Sequence, residues 1–261
     1  MAPTLTIDRP APVVRAGEQP GHAPASSCSN CHCEGCCVST LCLPGGLGEG
    51  DLRPLASLAL VTRKFAAGEM IYADGDPFRF VYAIRTGTCK TTLVRADGRE
   101  QVAGFHLAGD FMGLEGLGEG VHATSATALE DTQLCLIPYQ RLAAATASFP
   151  NAKDLMAHVM SREIVRDHSL LMLLALTEAP ERLAAFLLNL SQRYAARGWS
   201  SREFRLRMSR GDIASFLGVK LETISRTFSL FQRRGFIEKR GRDIRITDLE
   251  GLRSAYDLRI L

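Results

Sequence analysis

The sequence predicts an α+β chain: an antiparallel β-barrel forming a sensor body, one long helix, and a C-terminal winged helix-turn-helix. Three observations carry that reading. Between Val61 and Ile137, short Val/Ile/Leu/Phe/Tyr stretches alternate with turn signals; from Asn151 to about Leu176 the apolar period becomes helical; and from Pro180 onward two short helical patterns around one Gly precede a hairpin.

Four segments follow in order: 1–27, 28–149, 150–177 and 178–261. The first, rich in Pro, Ala and Gly without an apolar period, reads as a disordered lead-in. The second opens with CSNCHCEGCCVSTLC, which places six of the eight cysteines within fifteen residues, a density that packing does not require.

The barrel follows from the spacing of its turns: Ala67-Gly68-Glu69, Asp74-Gly75-Asp76, Thr86-Gly87, Ala96-Asp97-Gly98, Ala108-Gly109-Asp110 and Leu129-Glu130-Asp131. Short strands between regular turns make a small barrel or sandwich.

In the long helix Met160, Ile164, Asp167, Leu171 and Leu174 recur at alternating four- and three-residue steps, a heptad seam suited to a two-helix dimer interface. A core helix packed on the barrel is the competing reading of that pattern. In the C-terminal segment Arg197-Gly198-Trp199-Ser200 marks a break. Ser209 is placed to cap a helix, with Asp212 reaching back from three residues on. That helix ends near Leu217-Gly218, and a second runs from about Leu221 to Arg234.

Within the second helix Leu221, Ile224, Phe228 and Phe231 share a face expected to be buried, which leaves Glu222, Ser225 and Arg226 on the other. These side chains suit base edges in a major groove: Arg can donate a bidentate pair to guanine, Glu can accept from the cytosine amino group, and Ser can bond a base or phosphate. Net charge is only +3, from 31 Lys+Arg against 28 Asp+Glu, so a nucleic-acid surface has to come from local clustering. Such a cluster exists in Lys220, Arg210, Arg233, Arg234, Lys239, Arg240, Arg242 and Arg245, placed for phosphate contacts. Phe236-Ile237-Glu238 and Ile244-Arg245-Ile246, joined through Arg240-Gly241-Arg242-Asp243, read as the wing.

The N-terminus lacks a basic start followed by an apolar block, and the longest apolar run, Leu170 to Leu176, is too short to span a bilayer. A cytoplasmic protein without a membrane partner is expected. In that reducing compartment clustered cysteines read as metal ligands or redox thiols. Cys33, Cys36 and Cys42 give three well-spaced thiols, and a fourth ligand has to come from Cys135 or Cys89, between which spacing does not choose. Thiolate sets of this kind hold zinc or iron-sulfur clusters. An enzyme is not expected, because His106, His122, His158 and the carboxylates form no catalytic pairing in the sequence.

Several stretches resemble one family. The cysteine run ending CLP, the barrel stretches YAIRTGT and GFHLAGD, the CLIP tetrapeptide, the segment PERLAAFLLNLSQR and the helix LETISR are similar to the FNR (fumarate and nitrate reduction regulator) branch of the cyclic AMP receptor protein superfamily. The resemblance runs over nearly all of Cys28 to Leu249.

It implies a barrel of the cyclic-nucleotide-binding kind and an oxygen-sensitive 4Fe-4S cluster on Cys33, Cys36, Cys42 and Cys135, with Cys28, Cys31, Cys37 and Cys89 as spectators. It also implies that Glu222, Ser225 and Arg226 read a palindrome resembling TTGAT-NNNN-ATCAA. Double-stranded DNA, RNA polymerase and a second copy of the chain are the implied partners, with Asp167 facing its symmetry mate. Cyclic AMP is not expected: Gly113-Leu114-Glu115 through His122-Ala123-Thr124 offers no Arg for the cyclic phosphate. The alternative to the oxygen switch is a thiol- or zinc-dependent DNA-binding redox regulator.

Overall fold

The computed structural model describes Cys42 and residues 61–94, 98–148, 150–175 and 178–255. Among the described residues, eight strands build the first part: β1 (Val61–Phe65), β2 (Met70–Tyr72), β3 (Phe80–Thr86), β4 (Thr88–Val94), β5 (Glu100–Leu107), β6 (Phe111–Met112), β7 (Ser125–Ala128) and β8 (Thr132–Pro138). They form two four-stranded antiparallel sheets, ordered β1-β8-β3-β6 and β2-β7-β4-β5. The expected barrel is thus a pair of packed sheets, with no ladder joining the two among the described residues.

Strand parity decides what each face buries. In β3, Tyr82 and Ile84 enter the core between the sheets; in β8, Leu134 and Leu136 do the same, beside Phe65, Tyr72 and Cys89. The intervening residues Val81, Ala83, Cys135 and Ile137 lie on the opposite face, in a second apolar cluster. Both faces of these strands are therefore covered. At the turn between β3 and β4, Gly87 has φ +94°, and a Cβ there would lie 2.8 Å from the Thr132 Cα, so neither conformation nor space allows a side chain.

The second cluster is roofed by helices α1 (Tyr139–Ser148) and α2 (Pro150–Ala175), through Leu142, Met156 and Val159. Along α2, Val159, Glu163, Arg166, Leu170 and Leu173 are buried or half-buried against the rest of the chain. The stripe one residue on is more exposed, so the helix carries two parallel stripes at heptad spacing.

The C-terminal head comprises α3 (Ala179–Ala195), β9 (Glu203–Arg205), α4 (Arg210–Phe216), α5 (Leu221–Arg233), β10 (Ile237–Arg240), β11 (Asp243–Ile246) and α6 (Leu249–Ala255). Its three-stranded sheet has the order β10-β11-β9. The head core is continuous with the sensor body: Val102, Phe105 and Leu107 of β5 are buried in the same cluster as Leu183, Phe186, Leu187, Ile213 and Phe228. The Phe105 ring lies 5.0 Å from Phe216 and 6.0 Å from Phe186. Among the described residues, no helix is long and apolar enough to cross a membrane.

Candidate nucleic-acid interface

The site is assembled from α4, α5 and the hairpin. Ser209 caps α4: its Oγ accepts from the Asp212 amide at 3.0 Å, while the Asp212 carboxylate accepts from the Ser209 amide at 2.9 Å. The turn after α4 passes through Gly218 at φ +64°, and α5 begins three residues later. Ile224, Phe228 and Phe231 of α5 are fully buried, which fixes the helix against the head and turns Glu222, Ser225 and Arg226 to solvent. Arg226 donates to Glu222 at 2.6 Å, an exposed i, i+4 pair that lays a carboxylate and a guanidinium side by side on the helix surface.

One expectation for this helix is corrected. Leu221, placed by periodicity on the buried face, is 53% exposed, and Thr227 is buried with Ile224, Phe228 and Phe231 instead. Leu221 is the first residue of α5, at the edge of the head core that Ile224 enters one turn on, so about half of its surface is left to solvent. It stands beside Glu222 as a methyl-bearing surface of the kind that contacts thymine.

The basic frame is also less uniform than its sequence suggests. Lys220, Arg233, Arg234 and Arg240 are exposed around α5. Arg245 instead pairs across the sheet with Glu203 at 3.0 Å and lies 3.8 Å from Glu238, and Arg242 donates to the Arg207 carbonyl at 3.3 Å. Arg210 lies with its guanidinium 3.3 Å from the centroid of the Phe228 ring, and burial brings it down to about 10, still cationic at neutral pH.

The head is tied to the sensor body by polar contacts that sequence reading missed. Lys90 of β4 meets Asp212 at 2.6 Å, the Val102 amide donates to the Ser215 hydroxyl at 2.9 Å, and the Gln101 side chain donates to the Ser215 carbonyl. Asp110, 2% exposed, takes Arg166 at 2.9 Å, Arg193 at 2.5 Å and Arg197 at 2.7 Å. His106, buried beside this group and bonded to the Thr91 hydroxyl at 3.1 Å, has its imidazole pushed down to about 3, chiefly by burial and then by Arg166. It is a neutral packing residue.

The predicted cysteine ligands divide. Cys33 and Cys36 lie outside the described residues, as do Cys28, Cys31 and Cys37. Cys42 and Cys135 are both half-buried and pack against the same cluster of Val81, Ala83, Phe111, Ile137, Leu142 and Val159. Cys89 sits on the other side of the sheet, fully enclosed in the inter-sheet core, where burial pushes its thiol up to about 12. On the long helix Met160, Ile164, Asp167 and Leu171 of the predicted seam are exposed, at 52% for Ile164 and 63% for Leu171. Leu174 is half-buried, with its Cδ2 3.7 Å from where a Gly218 Cβ would stand.

In the sensor body, Glu115 accepts from the Thr124 hydroxyl at 2.9 Å and faces His122 Nδ1 at 3.3 Å, and the His122 ring stacks on Tyr72 with centroids 3.9 Å apart. Glu115, His122 and Thr124 are thus engaged with one another and with Tyr72.

Comparison with known proteins agrees with this architecture. The profile of the cyclic nucleotide-binding domain matches residues 62–149, and that of the Crp-like helix-turn-helix domain matches residues 181–255. The chain is 42% identical over 221 residues to the fumarate and nitrate reduction regulatory protein of Escherichia coli K12, covering 85% of this chain and 88% of that one. It is 42% identical over 222 residues to the transcriptional regulatory protein btr of Bordetella pertussis, covering 85% and 92%. Among solved structures, FixK2 of Bradyrhizobium japonicum aligns with a TM-score of 0.69 at 31% identity, over 76% of this chain and 97% of that one. A capped helix-turn-helix presenting Glu222, Ser225 and Arg226, on a body of this fold and at this identity, places the chain in the FNR family of DNA-binding transcription regulators rather than among enzymes.

Proposed function

We propose that the chain is an oxygen-responsive regulator: a homodimer that binds a TTGAT-NNNN-ATCAA-like palindrome when a 4Fe-4S cluster is held by Cys33, Cys36, Cys42 and Cys135, and that loses dimerisation and DNA binding when oxygen destroys the cluster. The observation that carries this is the seat of Cys42 and Cys135 on one apolar cluster that also contains Val159 and Met156 of α2. Two thiols from distant parts of the chain, half-buried in apolar surroundings, suit an iron-sulfur cluster, and Cys89, sealed and strongly protonated, does not. When bound, such a cluster supplies an oxygen-labile cross-link among four thiolates.

The chain's own residues turn that cross-link into a DNA response. Tying the segment that ends at Cys42 to β8 steadies the cluster of side chains beneath α2, and Val159 sits one residue from Met160, the start of the exposed seam. A second copy is the occupant that the seam fits, because Met160, Ile164, Leu171 and Leu174 repeat at the spacing of a two-stranded coiled coil. Asp167 within it sets two carboxylates against each other at the twofold axis, which keeps the dimer weak unless α2 is held. A palindrome read by two heads amplifies any loss of dimer. RNA polymerase is the partner expected of the bound regulator, and the cytoplasm is its place of action.

The test is the visible absorption of protein purified without oxygen, recorded before and after air, alongside fluorescence anisotropy on the palindrome. A broad band that bleaches in air, about four iron and four sulfide per chain, and DNA binding lost with the colour are the expected results. Protein that stays colourless after anaerobic supply of iron and sulfide would reject the oxygen switch in favour of a zinc- or thiol-dependent regulator with the same DNA head.

A further inference from the structure

The Asp110 carboxylate is saturated by donors from three separate elements. Oδ1 accepts from Arg166 of α2 and Arg197, just beyond the end of α3; Oδ2 accepts from Arg193 of α3 and from the amide of Leu107 in its own turn at 2.7 Å. A carboxylate has about four acceptor positions, and all are used. The two arginines from the head are fixed a second time on the same barrel stretch, Arg193 to the Phe105 carbonyl at 2.9 Å and Arg197 to the Ala108 carbonyl at 2.7 Å. Among the described residues, Arg166 is the only arm to this carboxylate from α2.

We propose that Arg166 and Asp110 form the joint through which the position of α2 is transmitted to the DNA-reading head. This deepens the reading of the chain as a regulator and rests on it. Arg166 lies next to Asp167, so a rotation of α2 that changes the seam also moves the guanidinium. Three guanidinium groups share Asp110, with Glu163 3.0 Å from Arg166 as a second carboxylate. Withdrawing Arg166 changes the charge balance that holds Arg193 and Arg197, and with them the end of α3. The body of the head follows, because the Arg182 guanidinium on α3 also donates to the Leu217 carbonyl in the helix-turn-helix turn at 2.8 Å. Arg166 is a positioning residue: it touches no DNA and acts through α3.

The chain carries its own reporter. Trp199, the single tryptophan, packs on Tyr194 with ring centroids 5.5 Å apart, two residues from Arg197. The experiment uses full-length Arg166→Gln and Arg166→Lys proteins, with Asp110→Asn as a second route to the same joint. Iron content, dimerisation by light scattering, Trp199 emission, hydrogen exchange at residues 193–197 and affinity for the palindrome are measured on each. Arg166→Gln is expected to keep its iron and its dimer, to shift Trp199 emission to the red, to exchange faster at 193–197, and to bind DNA about tenfold more weakly. Arg166→Lys, which restores the charge, recovers most of the affinity. Wild-type affinity in Arg166→Gln, or weakened binding with unchanged emission and exchange, overturns the joint. If neither wild type nor variant binds the palindrome, the proposed regulator reading fails by itself, and emission and exchange alone then decide whether the joint exists.

Discussion

Lys90 of the sensor body and Asp212 of the head, 122 residues apart in sequence, meet at 2.6 Å, and the Asp212 carboxylate at the same time accepts from the amide of Ser209, the cap of α4. Burial by itself would raise the Asp212 carboxyl; hydrogen bonds from Lys90 and Ser209 overcome it and bring the group below its ordinary value. One carboxylate therefore fixes both the start of the helix-turn-helix and its attachment to β4. Lys90→Met is expected to cost about 2 kcal/mol, the range for a hydrogen bond to a charged group. Asp212 with its folded value lowered stabilises the protein above its unfolded value and loses that contribution as pH falls. The variant should accordingly show a shallower loss of stability as pH falls below about 4 in urea titrations, and equal slopes there would contradict it.

Asp110 is more deeply committed. Burial opposes its ionisation, and Arg193, Arg166 and Arg197 together more than reverse that, holding the carboxyl well below the usual carboxylate range. Asp110→Asn leaves three partly buried guanidinium groups without their shared counter-ion, and a loss of about 3–5 kcal/mol is expected. By the same linkage, the wild-type contribution is complete at neutral pH and fades only below about pH 3.9. Chemical denaturation at pH 7 and pH 3 checks both statements: the gap between wild type and variant should narrow in acid.

Much of this head was legible in the sequence, and the reasons are local. The Ser209–Asp212 cap, the Gly218 turn and the buried face of Ile224, Phe228 and Phe231 are set by spacing within one or two turns of helix. Leu221 failed because periodicity says which residues share a face and not where the core beneath that face ends. Asp110 was legible only as a turn residue in Ala108-Gly109-Asp110, which it is, with its amide donating to the Leu107 carbonyl at 2.9 Å. Its arginine partners lie 56 to 87 residues away, and no local pattern points to them. What favours Cys135 over Cys89 in the proposed ligand set is strand parity in two different sheets, information that exists only after the sheets are paired.

Cys135→Ser is expected to abolish iron binding, because Cys135 shares a cluster with Cys42, whereas Cys89→Ser should keep the iron content of the wild type. Cys89→Ser instead places a hydroxyl in a sealed core, with a stability cost of about 1–3 kcal/mol. Iron and sulfide analysis after anaerobic reconstitution, with thermal unfolding, separates the two effects. Iron lost from Cys89→Ser and retained in Cys135→Ser would reverse the assignment.

On α5 the exposed Arg226–Glu222 pair should exchange its internal contact for base contacts on DNA. Arg226→Ala is expected to lose about 1–3 kcal/mol on the cognate palindrome and much less on a site with the guanine replaced, since a bidentate pair is what is removed. Arg233→Ala, on the exposed rim of the same helix, should weaken both sites alike and reduce the salt dependence. Anisotropy titrations at two salt concentrations distinguish the two. Equal losses on both sites for Arg226→Ala would remove it from the base-reading set.

The exposed stripe on α2 gives the last expectation. Ile164 and Leu171 flank Asp167 along the helix, so the apolar surface that would hold two copies together is interrupted by a charge that repels its own image. Removing that charge and leaving the stripe intact should strengthen association without touching the cysteines or the head. Asp167→Ala is therefore expected to remain dimeric and to bind the palindrome in air, after its colour has gone. Ile164→Asp, adding a second carboxylate one turn away, should be monomeric even without oxygen. Light scattering on both proteins, with and without air, checks the pair. An Asp167→Ala protein that is monomeric in air would mean that Asp167 does not govern the balance and that α2 meets its partner along another face.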